Sequence, residues 1–433
     1  MSTTHPMSPV DTAWYHMDGP ANPAIVTGVA ITAQPLDFGR VRREFQRRLL
    51  RFDRFRQRVV VQGTALATPV WQDVPDLDLD AHLRHIALPA PGDEATLRTV
   101  VEGLASLPLD HRLPLWQAYV VDNVGSGSAL VLRYHHCIGD GTAMMAVAAR
   151  LFDMPHRALR PPARASVPSA PTVVDAALRL AGEAGAVLSD LVKWPDPASP
   201  IKGEFGIRKS VAWSAPVPID TVKAIGAPTG AKVNDVLVAA VSGALRSYLR
   251  HRGVDPTDTT LRAMVPMDLR PLDRLGELGN EFGLVILDLP VSAATPGERL
   301  ARTKAGMDAL KVSAEAPAMQ LLLDLFGRGP KALEDIACSI FGSKASLVLT
   351  NVIGPREGIR LAGVPVERLM FCVPHPGQQI GMGASIMSYQ GMATLTVIAD
   401  ARLVPDPQAI TQAFNREVAA MAHPAQPRGD AAR

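Results

Sequence analysis

The sequence predicts two α/β layered domains joined by a long proline-rich connection, and three observations carry that expectation. Strand-like runs of β-branched residues and helix-like runs with apolar spacing of three and four are mixed in each half, without strict βα repetition. A dense Pro/Ala/Ser/Arg stretch at 153–172, including Pro161, Pro162, Pro168 and Pro171, interrupts the pattern. Proline lacks both the amide donor and the backbone freedom that regular elements need, so the stretch reads as a linker. Finally, 433 residues at roughly 150 per domain ask for two to three domains. The expected boundaries are 1–160 for the first unit, 161–202 for the connection and 203–423 for the second unit. A tail at 424–433 is expected to be disordered.

Composition narrows the class. At 47% hydrophobic and 20% charged, the chain can bury a large core, which excludes extended disorder as its main state. Forty-four basic against 42 acidic residues leave a net charge of +2, with no global push toward nucleic acid. Cys137, Cys338 and Cys372 are too few and too dispersed for a disulfide framework or zinc ribbon. A reducing, cytoplasmic setting fits them best. The first 30 residues lack a basic segment followed by an apolar one, so a secretory signal is not expected. No apolar run approaches the ~18–20 residues of a spanning helix. The run Val236–Leu245 stops at Arg246.

Element by element, Phe38, Val41, Phe45 and Leu49 mark one buried helical face behind Asp37 as N-cap. Nine arginines stand between 40 and 58 against Glu44 and Asp53, either a solvated helix face or an anion or lipid-headgroup contact. Leu115–Asn123 and Ala129–Tyr134 read as a hairpin around Val124-Gly-Ser-Gly-Ser128. Its glycines form a turn and not a phosphate cradle, since neither GxxxxGK[ST] nor strand–GxGxxG–helix is present. An apolar helix is expected from Thr142 to about Phe152, and an amphipathic one at Val173–Trp194. The second unit shows strands at Arg262–Pro266, Gly283–Leu289, Leu347–Val352, Gly381–Tyr389 and Ala393–Ala399. Its last helix, Pro407–Met421, buries Ile410, Phe414, Val418 and Met421. Met319–Phe326 is either a buried helix or a lipid-contacting surface.

The residues that carry chemistry are His135-His136-x-x-x-Asp140-Gly141, where a strand gives way to a helix. Successive strand residues point to opposite faces, so one histidine is expected in a cleft and the other against the backbone. That divergence argues against a metal site, which wants imidazoles converging on one point. No GxSxG elbow supplies a serine nucleophile. Cys137, taken as a strand neighbour of His136, should point away as a small buried hydrophobe. What remains is a histidine acting as general base on a substrate hydroxyl, with direct transfer.

HHxxxDG resembles the signature of the coenzyme-A-dependent acyltransferase superfamily, which includes chloramphenicol acetyltransferase and peptide-synthetase condensation domains. Further blocks resemble one branch, the bacterial wax ester synthase/diacylglycerol acyltransferase family. They are Met7-Ser-Pro-Val-Asp-Thr-Ala-Trp14, His82–Gly92, Pro108-Leu-Asp110 with Pro114-Leu-Trp116, and Val233-Asn234-Asp235. Val265–Arg270, Gly279-Asn280, Thr350–Pro355 and Ser388–Gly391 follow in family order. The chain departs at Gln390, where Asn or Asp is usual, and at Asp268, which replaces a small residue.

The resemblance implies two chloramphenicol-acetyltransferase-like domains with the active site between them. It implies transfer of a fatty acyl group from acyl-CoA to a fatty alcohol or diacylglycerol. Acyl-CoA is then a substrate and no cofactor is expected. By the same resemblance His136 is the general base and His135 structural support. Asp140 pairs with an arginine, Arg270 first and Arg356 next, and Gly141 starts the helix close to the strand. Asn234 is a candidate oxyanion donor, with Asp235 as cap of a helix Val236–Leu249. Pro114, Leu115, Trp116 and Asp235 are candidates for substrate binding, Trp116 being either core or a wall of the acyl tunnel. A relative with another thioester or acceptor, or an inactive lipid-binding relative, stays open. So does contact with a membrane or lipid-inclusion surface, for which Val173–Trp194 is a further candidate.

Overall fold

Hairpin chemistry at 124–127 sets the first sheet. In the computed structural model, Trp116–Val124 and Gly127–His135 pair antiparallel on either side of the turn at Gly125, whose φ of +56° suits glycine. Ile25–Thr32 adds beside Gly127–His135, and Leu83–Ala87 adds parallel to Trp116–Val124. The described residues are 3–61, 63, 68–154, 196, 198–271, 274, 277–311, 313, 315–329, 339, 342–375 and 379–423. The helix expected at Val173–Trp194 and the tail 424–433 lie outside them.

A second sheet is built from the later chain in the order Phe282–Leu289, Leu261–Asp268, Leu347–Ile353, Met382–Tyr389, Met392–Asp400, Lys209–Trp213. The helix Val233–His251 packs on it, burying Val236, Leu237, Ala240 and Leu245. Pro407–Ala422 packs beside that helix through Ile410, Phe414 and Val418. This mixed α/β architecture is the expected class. A small third sheet joins Thr4–Pro6, Val70–Asp73 and Gln57–Val60.

The halves are not independent in the sheets. Val364–Cys372, from the later chain, pairs antiparallel with Ile25–Thr32 and completes the first sheet. One apolar cluster draws Val29, Leu97, Val121 and Val131 together with Val211, Trp213 and Ile398, so core residues of both sheets are shared. The join is tight elsewhere too. A side chain at Gly327, which ends the helix Glu315–Gly327, would strike the carbonyl of Pro9. In that helix Met319 and Leu323 are buried while Leu321 is 53% exposed.

Two local expectations need correction. The long helix begins at Val233, not Val236, because the Asp235 carboxylate accepts the Lys232 amide at 2.7 Å. Asp235 is therefore the third helical residue, reaching back to the cap as in a capping box. The hairpin strand ends at His135, and His136–Ile138 form a 3₁₀ turn, so Cys137 is not a strand neighbour of His136. Among the described residues, no helix is long and apolar enough to cross a membrane.

Candidate active site

The turn between His135 and Gly141 is held from both halves. Asp140 caps the helix Gly141–Leu151, its Oδ1 accepting the Ala143 amide at 2.9 Å. Its Oδ2 accepts from Arg270 Nη2 at 2.8 Å and from the Glu281 amide at 2.9 Å. Arg270, the first of the two arginines considered, is 2% exposed. It also donates to the Gly279 carbonyl at 2.7 Å, and Gly279 adopts a φ of +112° that side chains rarely tolerate. Gly279 in turn bridges to Gly139. Gly141 leaves little room, since a Cβ there would meet Val352 Cγ2 at 3.3 Å. Asp268 joins the same clamp, accepting from the Thr142 hydroxyl at 3.2 Å and the Arg270 amide at 3.0 Å.

His136 sits inside this clamp. Its ring stacks on Trp14, with centroids 3.8 Å apart and planes 12° from parallel, and Phe282 lies 5.9 Å away. Its Nδ1 is 3.1 Å from Asn280 Oδ1. The Asn280 amide orientation follows from its other partners. Its nitrogen faces the His136 carbonyl at 2.9 Å and Asp11 Oδ1 at 2.7 Å, and that same carboxylate oxygen already accepts the Asn280 backbone amide at 3.1 Å. A carbonyl can only accept, so the amide nitrogen must face it, which turns Oδ1 toward the ring. Nδ1 of His136 therefore carries the proton, and Nε2 keeps its lone pair. Burial pushes this imidazole down to about 4, with the Asp140 carboxylate opposing, so it is neutral at pH 7.

His135 is arranged the other way round. Its Nδ1 accepts the Cys137 amide at 3.1 Å, so Nε2 carries the proton and lies 3.7 Å from Asp18 Oδ1 in an enclosed space. The His135 amide donates to the Leu115 carbonyl at 2.9 Å, so the Pro114-Leu115-Trp116 block braces this histidine's backbone. Tyr15 and His111 flank the ring, each with its centroid 6.0 Å away. Exposure separates the two histidines: 0% for His135 and 8% for His136. The divergence expected from strand alternation is present, but it comes from the 3₁₀ turn. Cys137 is fully buried, and burial raises its thiol well above the usual range.

The remaining sequence-named residues stand apart from the ring. Trp116 is fully buried, stacked on His82 at 4.6 Å and donating to the Phe55 carbonyl at 2.9 Å. Asn234, second in its helix, accepts from Asn351 Nδ2 at 2.9 Å. Asn351 neighbours Val352, the residue against Gly141. Asp11, Trp14, Asn280 and Phe282 were not singled out individually as site residues from the sequence. The signal was available for three of them, since Asp11 and Trp14 lie in the N-terminal block and Asn280 in Gly279-Asn280.

A histidine with a fixed tautomer, placed where two halves meet and backed by a buried aspartate–arginine prop, defines an acyltransferase of the HHxxxDG kind. Comparison with known proteins places the chain within that class. Residues 7–202 match the wax ester synthase/diacylglycerol acyltransferase catalytic domain and residues 278–422 the C-terminal domain of the same family. The chain belongs to the wax ester synthase/diacylglycerol acyltransferase family and is an acyltransferase. It is 30% identical over 390 residues to a protein of Mycobacterium tuberculosis named "probable diacylglycerol O-acyltransferase", covering 81% of this chain and 84% of that one. A second such protein of the same organism is 26% identical over 394 residues, covering 84% of each. Among solved structures, the wax ester synthase/diacylglycerol acyltransferase from Marinobacter aquaeolei VT8 matches with a TM-score of 0.70 at 22% identity, over 96% of this chain and 98% of that one. The first condensation domain of the calcium-dependent antibiotic synthetase matches with a TM-score of 0.62 at 19% identity, over 98% and 97%. These two share the fold.

Proposed function

We propose that the chain transfers a fatty acyl group from acyl-CoA to the hydroxyl of a fatty alcohol or a diacylglycerol, with His136 as general base. The observation that carries this reading is the Asp11–Asn280–His136 array, which leaves a neutral imidazole whose Nε2 has no hydrogen-bond partner among the described residues. A general base needs that protonation state and tautomer before it needs anything else. The names of the mycobacterial relatives support a diacylglycerol acceptor.

In the proposed reaction, the acceptor's hydroxyl proton passes to Nε2 as its oxygen attacks the thioester carbonyl. The carbon–sulfur bond then breaks, coenzyme A leaves as a thiolate, and the imidazolium returns the proton to sulfur. A thiol whose pKa is near ~8.5 leaves readily, so no covalent acyl-enzyme is required. Asn234 serves as a neutral amide donor to the oxyanion, its Oδ1 being occupied by Asn351 and its Nδ2 hydrogens remaining for substrate. Trp14 offers its ring face to the imidazolium that forms midway. Both substrates must be bound together, because effective molarity arises only when base, hydroxyl and thioester are held at once.

Labelled palmitoyl-CoA offered separately with hexadecanol and with dioleoylglycerol, followed by thin-layer analysis, tests the assignment. Labelled wax ester or triacylglycerol, and no release of CoA when the acceptor is withheld, is the expected result. A stoichiometric CoA burst without acceptor, with a trapped acyl-protein adduct, would replace direct transfer by a covalent scheme. Absence of both products would remove the substrate assignment.

A further inference from the structure

The arginine-rich segment at 40–58 is not used by the chemistry described above. On the helix Phe38–Arg48, Val41 and Phe45 face the core with no exposure. Arg40, Arg43 and Arg47 recur at spacings of three and four on the opposite side, and Arg51, four residues on, continues the line into the following 3₁₀ turn. All four are exposed and have no side-chain partner among the described residues. Asp37 caps the helix by accepting the Arg40 backbone amide at 2.5 Å, and the other nearby acids are paired with other arginines. Glu44 and Asp153 hold Arg48, Asp80 holds Arg42, and Asp53 holds Arg56. Beyond the Asp37 cap, the outward stripe is cationic in a chain whose net charge is only +2.

We propose that this stripe is the docking face for an anionic lipid surface. The proposal rests on the reading that the substrates are apolar lipids. Four guanidinium groups drawn out over some 11 residues, or about 16 Å at 1.5 Å per residue, suit a plane of headgroups better than a single small anion, which asks for converging donors. The position fits as well. The helix Gly141–Leu151 starts at the catalytic turn and ends against the inner side of the helix Phe38–Arg48, where Arg48 donates to Asp153 at 2.6 Å and to the Arg150 carbonyl at 3.3 Å.

The test is co-sedimentation with phosphatidylcholine vesicles with and without phosphatidylglycerol. The wild-type chain should bind the anionic vesicles, and binding should weaken as salt screens the charges. Each basic residue at such a surface is worth roughly fivefold in partitioning, so Arg40→Gln/Arg43→Gln/Arg47→Gln/Arg51→Gln should lower it by about 10²–10³-fold. A charge-matched variant in exposed residues elsewhere, Arg250→Gln/Arg302→Gln/Arg402→Gln/Arg416→Gln, should retain most of it. In nonionic-detergent micelles carrying palmitoyl-CoA and hexadecanol, the stripe variant should match wild type. Equal binding to neutral vesicles, insensitivity to salt, or equal losses in the two variants would overturn the proposal. Binding to an RNA fragment in preference to anionic vesicles would do the same. Failure of wild-type transfer in micelles, with vesicle binding intact, would instead count against the substrate reading alone.

Discussion

Two adjacent histidines, His135 and His136, share burial and a common electrostatic fate, yet only one is fit to act as a base. Burial pushes both down to about 4, so neither is charged at neutral pH. What differs is whether the neighbour at Nδ1 donates or accepts. The Cys137 amide takes Nδ1 of His135 and leaves its Nε2–H enclosed near Asp18. Asn280 Oδ1 accepts from Nδ1–H of His136, and Nε2 has no partner among the described residues, in a residue that keeps 8% of its surface. The lesson is that a depressed pKa does not identify a general base; the tautomer does, and partners several elements away set it.

The largest way to sharpen the contrast is to delete each ring. His136→Ala should cost about 10²–10⁴-fold in turnover while the melting temperature changes little. His135→Ala should lower the melting temperature more and turnover less, and a reversed pattern in the paired measurements would exchange the two roles. Next comes the prop beneath both. Asp140→Asn removes the buried carboxylate that pairs with Arg270 and should destabilise by about 3–5 kcal/mol in denaturant unfolding. A variant that unfolds normally but does not turn over would make Asp140 a participant in the chemistry.

The shared burial predicts a shared pH response. Between pH 6.5 and about 4 the unfolded chain binds protons that the folded histidines refuse, so stability should fall as pH falls through that window. Denaturant unfolding at stepped pH checks the sign, and His135→Ala or His136→Ala should each flatten the slope. The tautomer lock is a smaller term. Asn280→Ala removes the acceptor that fixes Nδ1–H of His136, and a hydrogen bond of about 1–3 kcal/mol corresponds to roughly 5–150-fold in kcat with KM little changed. The stack is the smallest. Trp14→Leu should cost about 2–30-fold in kcat and move the acidic limb of the rate profile, while Trp14→Phe restores most of the loss.

Much of this architecture was legible in the residues, and the exceptions have physical causes. The helix Phe38–Arg48 and the hairpin at 116–135 are local: Asp37 caps the first, and a Gly-Ser-Gly turn closes the second. Asp140 with Arg270 was legible only through the resemblance, since 130 residues separate them in sequence. Asn280 and Asp11 were quoted as parts of motifs, yet their role depends on a three-residue contact across 269 positions that no local pattern encodes. The Val364–Cys372 strand was not among the expected elements, and nothing in its composition says it joins the other half's sheet. Gln390 shows the same limit at one residue. Its φ of +48° explains why Asn or Asp is usual in that turn, but the sequence shows only that the residue differs.

The central claim is the opposite protonation of the two rings, and nitrogen NMR of histidine-labelled protein near pH 7 reads it directly. With the two residues assigned through His135→Ala and His136→Ala, His136 should show a protonated, pyrrole-type Nδ1 and a bare, pyridine-type Nε2, while His135 shows the reverse. Finding the proton on Nε2 of His136, or the same tautomer on both rings, would contradict the account.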